Sequence, residues 1–144
     1  MLDQAGGFRI SLVDLLTFQR PRGDQRRLLV LNSCESAVSA GLGGPSNIGL
    51  ASALADSGQA VISHLWPVGW KESAAFGGLL ALGLAGANRT FASAYAYAVD
   101  TQAAGGGDVD AQLRLHPRTV PLAERCQASD MRGLLGLGSS CFME

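Results

Sequence analysis

The segment RRLLVLNSCESAVSAG, residues 26–41, decides how the fold is interpreted. Its apolar run, Leu28 to Leu31, has the length and composition of a short strand that is buried on both faces. The run ends on Asn32-Ser33-Cys34-Glu35-Ser36, so a thiol follows the strand directly. Either Cys34 is a small buried hydrophobic residue, as free cysteines usually are, or the strand holds a sulfur at the edge of a sheet.

A second apolar run, AVISHL at residues 60–65, is stopped by Trp66-Pro67. Between the two runs, Ser46 or Asn47 can cap a helix that Gly58 ends. Two apolar strands joined by a helical crossover form a βαβ unit, which predicts an α/β fold with a parallel sheet covered on both faces. Functional groups in such sheets gather at the carboxyl ends of the strands, where Cys34 is placed.

Helical patterns flank this unit on both sides. The first is predicted to begin at Ser11 and to end before Pro21, the second covers 71–85 with Gly86 as terminator, and the third covers 91–102 with Asn88 or Thr90 as its cap. Residues 103–144 are rich in glycine and contain two prolines, so we expect a loosely ordered C-terminal tail after a domain at residues 8–102.

Composition excludes several classes of function. The net charge of −1 provides no basic field for nucleic acid. No apolar stretch reaches the length of about 18 to 20 residues that a membrane span requires. The three cysteines are too few for a disulfide framework and indicate a reduced, cytoplasmic setting. No Cys or His pair has the close spacing of zinc ligands, and we predict no cofactor.

Three stretches together resemble the CHAT domain, a caspase-like cysteine peptidase module. They are LLVLNSCESA (28–37), GLASALADSGQAVISHLWPV (49–68) and ESAAFGGLLALGLAGANRTFASAYAYAVDTQ (72–102). The resemblance implies a partial caspase-like three-layer fold, with parallel strands flanked by helices. It places Cys34 at the position of the nucleophile in peptide-bond hydrolysis, with its backbone N–H as an oxyanion donor. Gly69 stands where the family usually has Asp, which weakens any inference about substrate contacts there.

The resemblance also implies a catalytic histidine upstream of the cysteine, but no histidine precedes His64. We therefore expect the first half of the domain, with its histidine, to be missing from this chain. His64 lies inside the second strand, so either it is a buried histidine bonded to a backbone carbonyl or it lies beside Cys34. His116 precedes Pro117 in the tail and is the weaker candidate. Trp66 either packs at the sheet edge or lines a substrate groove.

Two functions remain open on the sequence. The chain is an incomplete, inactive peptidase module with Cys34 at the nucleophile position, or it is a non-catalytic interaction or regulatory remnant of a CHAT protein. In both cases the expected partner is a protein or peptide. A half-sheet leaves a strand edge open, and such edges recruit partners, so we also expect the isolated chain to self-associate.

Overall fold

Three short strands form one sheet in the order β1-β2-β3. The computed structural model describes residues 27–31, 55, 59–64, 68–87, 89–131 and 140–143. The strands are β1 (Leu28–Val30), β2 (Ala60–His64) and β3 (Ser140–Met143). The helices of the described residues are α1 (Trp70–Ala85), α2 (Phe91–Ala104), α3 (Gly106–Arg114) and α4 (Val120–Cys126), and a 3₁₀ turn covers Ala128–Asp130.

Strands β1 and β2 are neighbours and run parallel, as the sequence predicted. Leu28 pairs with Ala60 and Val30 with Ile62. The ladder continues for one more residue, because the Leu31 N–H donates to the Ile62 carbonyl at 2.8 Å. All five residues of β2 are buried, including those on both faces of the sheet. The predicted α/β class, with apolar strands flanked by helices, is confirmed.

Strand β3 was not predicted, and it makes the sheet mixed. It runs antiparallel to β2, with Phe142 opposite Ile62 and Ser140 opposite His64. Tyr95 of α2 fixes it in place, since its hydroxyl donates to the Ser140 carbonyl at 2.8 Å and its ring stacks on Phe142 at 5.6 Å. The strand therefore depends on a partner in α2, which no local pattern around residue 140 indicates.

Helices α1 and α2 confirm the predictions for residues 71–102 to within two residues. Thr90 is the N-cap of α2, where its hydroxyl accepts the Ser93 N–H at 3.1 Å. The two helices approach closely at Gly83, since a Cβ there would lie 3.1 Å from the Ala94 backbone. The predicted helices at 11–18 and 46–58 lie outside the described residues, apart from Ala55, which is helical.

We expected a loosely ordered tail after residue 102, and this expectation is wrong for the described residues up to 131. Helices α3 and α4 pack on α1, and Val109, Leu113, Ala123 and Ala128 belong to the same core cluster as Ile62. The sequence pattern gave only a weak indication of buried positions in this region, because two of these four residues are alanines. Pro121, which we took as a helix breaker, lies at the start of α4, where its missing N–H has no intrahelical partner to lose.

The glycines at 105–107 are an ordered junction between α2 and α3. Gly105 has φ = 116°, a conformation that residues with a Cβ rarely adopt. Gly106 is buried against the 3₁₀ turn, and its N–H donates to the Met131 carbonyl at 3.1 Å. A Cβ on Gly106 would lie 2.6–2.7 Å from the carbonyl oxygens of Ala128, Ser129 and Met131. Only glycine fits this contact without a shift of the backbone.

We expect Gly106→Ala to lower the free energy of unfolding by about 1–3 kcal/mol, because the methyl group meets three backbone oxygens that cannot rotate away. Gly107→Ala is the matched control, since a Cβ there has no neighbour within 4 Å. We expect this control to be neutral or to stabilise by up to about 1 kcal/mol. Urea denaturation measures both variants, and equal effects would contradict the packing described at Gly106.

Candidate functional site

The candidate site is the edge of the sheet at which β1 and β2 both end. Because the strands are parallel and in register, Leu31 lies beside the end of β2, one residue after the pair formed by Val30 and Ile62. Cys34, the predicted nucleophile, follows Leu31 by three residues and lies outside the described residues, as does Trp66. The structure thus brings the two strand ends together, and it leaves the positions of these two side chains as predictions.

His64 is the last residue of β2, and its side chain is buried on one face of the sheet. Only 3% of the residue is exposed. Its ring meets the ring of Phe76 in α1 edge to face, with centroids 6.1 Å apart. Since side chains alternate along a strand, His64 and Ile62 lie on the same face, the one that α1 covers. The imidazole therefore points into the layer between sheet and helix.

The surroundings of His64 are closely packed. The space beside the ring has no room for a water molecule, and the residues that line it with His64 are Val68, Glu72, Phe76, Gln102 and Ser140. Gln102 of α2 closes one side, where its amide donates to the Glu72 carbonyl at 3.1 Å. The arrangement is that of a core histidine held by α1, α2 and β3, and the described residues leave no room for a substrate at this face.

Burial lowers the pKa of His64 below its ordinary value of 6.5, because the low-dielectric surroundings disfavour the imidazolium. At neutral pH the ring is therefore uncharged. A neutral imidazole is chemically able to accept a proton, but proton transfer also requires hydrogen-bond reach of the donor. The packing around His64 favours the interpretation of a structural histidine over that of a partner for Cys34.

The opposite face of β2 carries a second polar contact. Ser63 is fully buried, and its hydroxyl lies 3.1 Å from the thiol of Cys141 in β3. Cys141 is a free thiol, as is the buried Cys126 of α4. Burial raises the pKa of Cys126, with a smaller opposing effect from the charge of Lys71. A thiol with a raised pKa is a poor nucleophile, so Cys126 has the character of a core residue.

His116, the other histidine of the chain, lies in the exposed turn between α3 and α4. Its Nδ1 accepts the N–H of Arg118 at 3.2 Å, which makes it part of the turn. Within the described ranges, no group of three His, Cys, Asp or Glu residues is arranged to hold a metal ion. None of the described helices is both long enough and apolar enough to cross a membrane.

Comparison with models of known protein families identifies a family for this chain. A family model described as the CHAT domain matches residues 3–101, which is more than half of the chain. The match includes β1, β2, α1, most of α2 and the segment that contains Cys34. No match was found among curated proteins or among solved structures. Helices α3 and α4 and strand β3 lie beyond the matched residues, although they complete the same core.

The lowered pKa of His64 makes stability dependent on pH. The unfolded chain binds a proton at His64 more readily than the folded chain, so this contribution to stability is full above about pH 6.5 and is lost as the pH falls below it. We expect the free energy of unfolding to decrease as the pH is lowered from about 7 to about 5. In the His64→Gln variant this decrease, the pH slope, should be smaller. Urea denaturation at several pH values measures this.

The matched control is His116→Gln, which changes a histidine on an exposed turn. We expect this variant to keep the pH slope of the unaltered protein. If His64→Gln also keeps the full slope, His64 is not the titrating group that burial implies.

Proposed function

Because the chain belongs to the CHAT domain family, we propose that it carries the nucleophile-bearing part of a caspase-like cysteine peptidase site, with Cys34 as the nucleophile. The observation that supports this most is the parallel, in-register pairing of β1 with β2. This pairing means that the chain leaves β1 at the carboxyl edge of the sheet, which is where the functional groups of α/β enzymes usually lie. The family match covers this segment in full.

The chemistry of such a site begins with attack of the Cys34 thiolate on the carbonyl carbon of a peptide bond. The carbonyl oxygen takes up the negative charge, and backbone N–H groups at the strand exit stabilise it. The C–N bond then breaks, the amine leaves with a proton, and a thioester remains until water hydrolyses it. Two proton transfers are required, one from the thiol and one to the amine, and a histidine ordinarily performs both.

Neither histidine of this chain is suited to that role. His64 is packed against Phe76 in the sheet–helix layer, and His116 is part of the turn between α3 and α4. A thiol without a base has a pKa of about 8.5, so only a few per cent of it is ionised at pH 7. General acid–base catalysis is worth about 10²- to 10⁴-fold in rate. We therefore propose that the chain alone does not turn over peptides.

The outer edge of β1 is a candidate contact for a polypeptide that completes the site. The N–H and C=O groups of Leu28 and Val30 point away from β2, because those of Arg27, Leu29 and Leu31 point toward it. No described strand pairs with that edge. The strand has the all-apolar composition of an interior strand, yet Val30 is 37% exposed. We propose that a further strand, from another copy or another protein, pairs here.

The free thiols of Cys126 and Cys141 support a reducing setting for this module. We propose the cytoplasm as its compartment.

Alkylation of Cys34 tests the proposed nucleophile. We expect iodoacetamide to label Cys34 in the native chain faster than Cys126, which is 1% exposed, with a pH dependence of an ordinary thiol centred at about 8.5. Mass spectrometry of the digested protein assigns the label. Cys34→Ala is the blank for a parallel assay with fluorogenic peptides, in which we expect no hydrolysis above that blank.

Two outcomes of the labelling would contradict the proposal. Protection of Cys34 until the chain is unfolded would make it a core residue, and a non-catalytic module would then be the better interpretation. Rapid labelling well below about pH 8 that His64→Gln abolishes would show that His64 activates the thiol, and the module would not be incomplete.

Strand pairing at β1 predicts self-association of the isolated chain. We expect the apparent mass in size-exclusion chromatography with light scattering to rise with protein concentration. Val30→Lys should reduce this association, because a charge on an edge strand disfavours pairing with another strand. Leu115→Lys is the control, since it changes a residue that is 72% exposed and follows α3 rather than a strand. A monomer at every concentration would contradict pairing with a second copy.

A further inference from the structure

The two edges of the sheet, β1 and β3, differ in what lies against them. Among the described strands none lies beyond either one. An unpaired edge presents N–H and C=O groups that another strand can bind. A chain with two open edges can join copies on both sides into an assembly of no fixed size, whereas a chain with one open edge forms a closed dimer. The number of open edges therefore limits the size of the assembly.

The hydrogen bonds of β2 show which main-chain groups of β3 point outward. The Ile62 carbonyl accepts an N–H from the residue that follows β1, so the main-chain groups of Ile62 point toward β1. Those of its neighbour Ser63 point to the other side, toward β3, where Ser63 pairs with Cys141. Since these directions alternate along a strand, the N–H and C=O groups of Ser140 and Phe142 point away from β2. They form the outer edge of β3.

Tyr95 of α2 occupies part of this outer edge. Its hydroxyl donates to the Ser140 carbonyl at 2.8 Å and lies 3.3 Å from the Ser140 hydroxyl. The carbonyl is one of the groups that an added strand would need, so the tyrosine hydroxyl takes the place of an N–H from that strand. Ser140 is buried as a result of this cover, although it lies on an edge strand.

The ring of Tyr95 is held between two other aromatic rings. It stacks on Phe142 with centroids 5.6 Å apart, and it meets Phe76 edge to face at 6.1 Å. Moving the hydroxyl away from the Ser140 carbonyl would disturb both ring contacts. Covering a strand edge with part of a helix is one of the ways in which proteins prevent unwanted pairing.

The outward groups of β1 are matched by those of a second copy of the same strand. They belong to Leu28 and Val30, and Val30 is 37% exposed. When two copies of β1 run antiparallel about a two-fold axis at Leu29, Leu28 of each copy lies opposite Val30 of the other. The two N–H and two C=O groups of each strand then all have partners. Such a contact uses the same edge of both copies, so it closes after two chains.

From these observations, and on the basis of the strand pairing proposed above for β1, we propose that the sheet binds a partner strand at one edge only. The partner is a second copy of this chain, joined through β1, and the hydroxyl of Tyr95 blocks the outer edge of β3. The assembly therefore ends at a dimer.

Light scattering after size-exclusion chromatography tests this with proteins that have none, one or two open edges. The mass of the unaltered protein should rise with concentration and level off at about twice the chain mass of 14.9 kDa. Val30→Lys should stay near the mass of one chain, because it blocks β1. Tyr95→Phe should exceed the dimer mass without levelling off, because it opens β3. The variant with both changes should again level off at the dimer, now joined at β3.

The matched control is Tyr97→Phe, which also removes a hydroxyl from α2. The Tyr97 hydroxyl donates to the side-chain oxygen of Gln112 in α3 at 2.7 Å, so its loss costs a similar hydrogen bond without changing a strand edge. We expect Tyr97→Phe to leave the mass unchanged, both alone and together with Val30→Lys. Circular dichroism checks that each variant keeps its fold.

The outcomes separate the role of Tyr95 from the pairing at β1. If the unaltered protein grows beyond a dimer, if Tyr95→Phe is no heavier than the unaltered protein, or if Tyr97→Phe has the same effect, the role of Tyr95 is wrong and the pairing at β1 stands. If the unaltered protein is a monomer but Tyr95→Phe dimerises, the pairing at β1 is wrong and the role of Tyr95 stands. If both proteins are monomers, both proposals are overturned.

Discussion

Parallel pairing between two short apolar strands is the constraint on which the rest of this structure depends. Leu28–Val30 pairs in register with Ala60–Ile62, and the Leu31 N–H extends the ladder toward the carboxyl end. Parallel strands cannot be joined by a tight turn, so this pairing requires a long connection between β1 and β2 in the sequence. The same pairing brings two strand exits to one edge. Every functional interpretation of this chain starts from that edge, because the segment with Cys34 leaves from it.

The burial of β2 on both faces decides how its polar residues behave. Ser63 and His64 are adjacent in sequence and lie on opposite faces, and both are buried. Ser63 contacts the thiol of Cys141, and His64 packs against Phe76. A polar side chain in such a strand is surrounded by its packing partners, and these partners determine its protonation and its hydrogen bonds. Closeness in sequence to a strand end does not by itself bring such a side chain to Cys34. This is why a histidine only a few residues from the strand exit is better understood as part of the core.

Sequence patterns predicted the parts of the fold that carry strong local signals. The apolar runs gave β1 and β2, and the Thr90 cap with Gly86 gave the boundaries of α1 and α2 to within two residues. The patterns failed after residue 102, where the signals are weak for physical reasons. Ala123 and Ala128 fill the core without appearing strongly apolar, Pro121 starts a helix, and Gly106 is required by contact with carbonyl oxygens. Strand β3 depends on Tyr95, a residue that no local window around 140 contains. Of the candidate site, the sequence indicated Cys34 and the strand edge but left the role of His64 open, because the packing of His64 depends on its contact with Phe76 in α1.

Strand β3 also has a consequence for how the molecule acquires its fold during synthesis. Ser63 and Cys141 touch although 78 residues separate them along the chain. The ribosome emits β1, β2, α1 and α2 before it reaches residue 140, so the flank of β2 that pairs with β3 stays unpaired while the residues between them are synthesised. Long-range pairing of this kind is slow to form, and unpaired strand flanks are prone to aggregate. The nascent chain is thus most prone to aggregate in the interval before Phe142 reaches Tyr95.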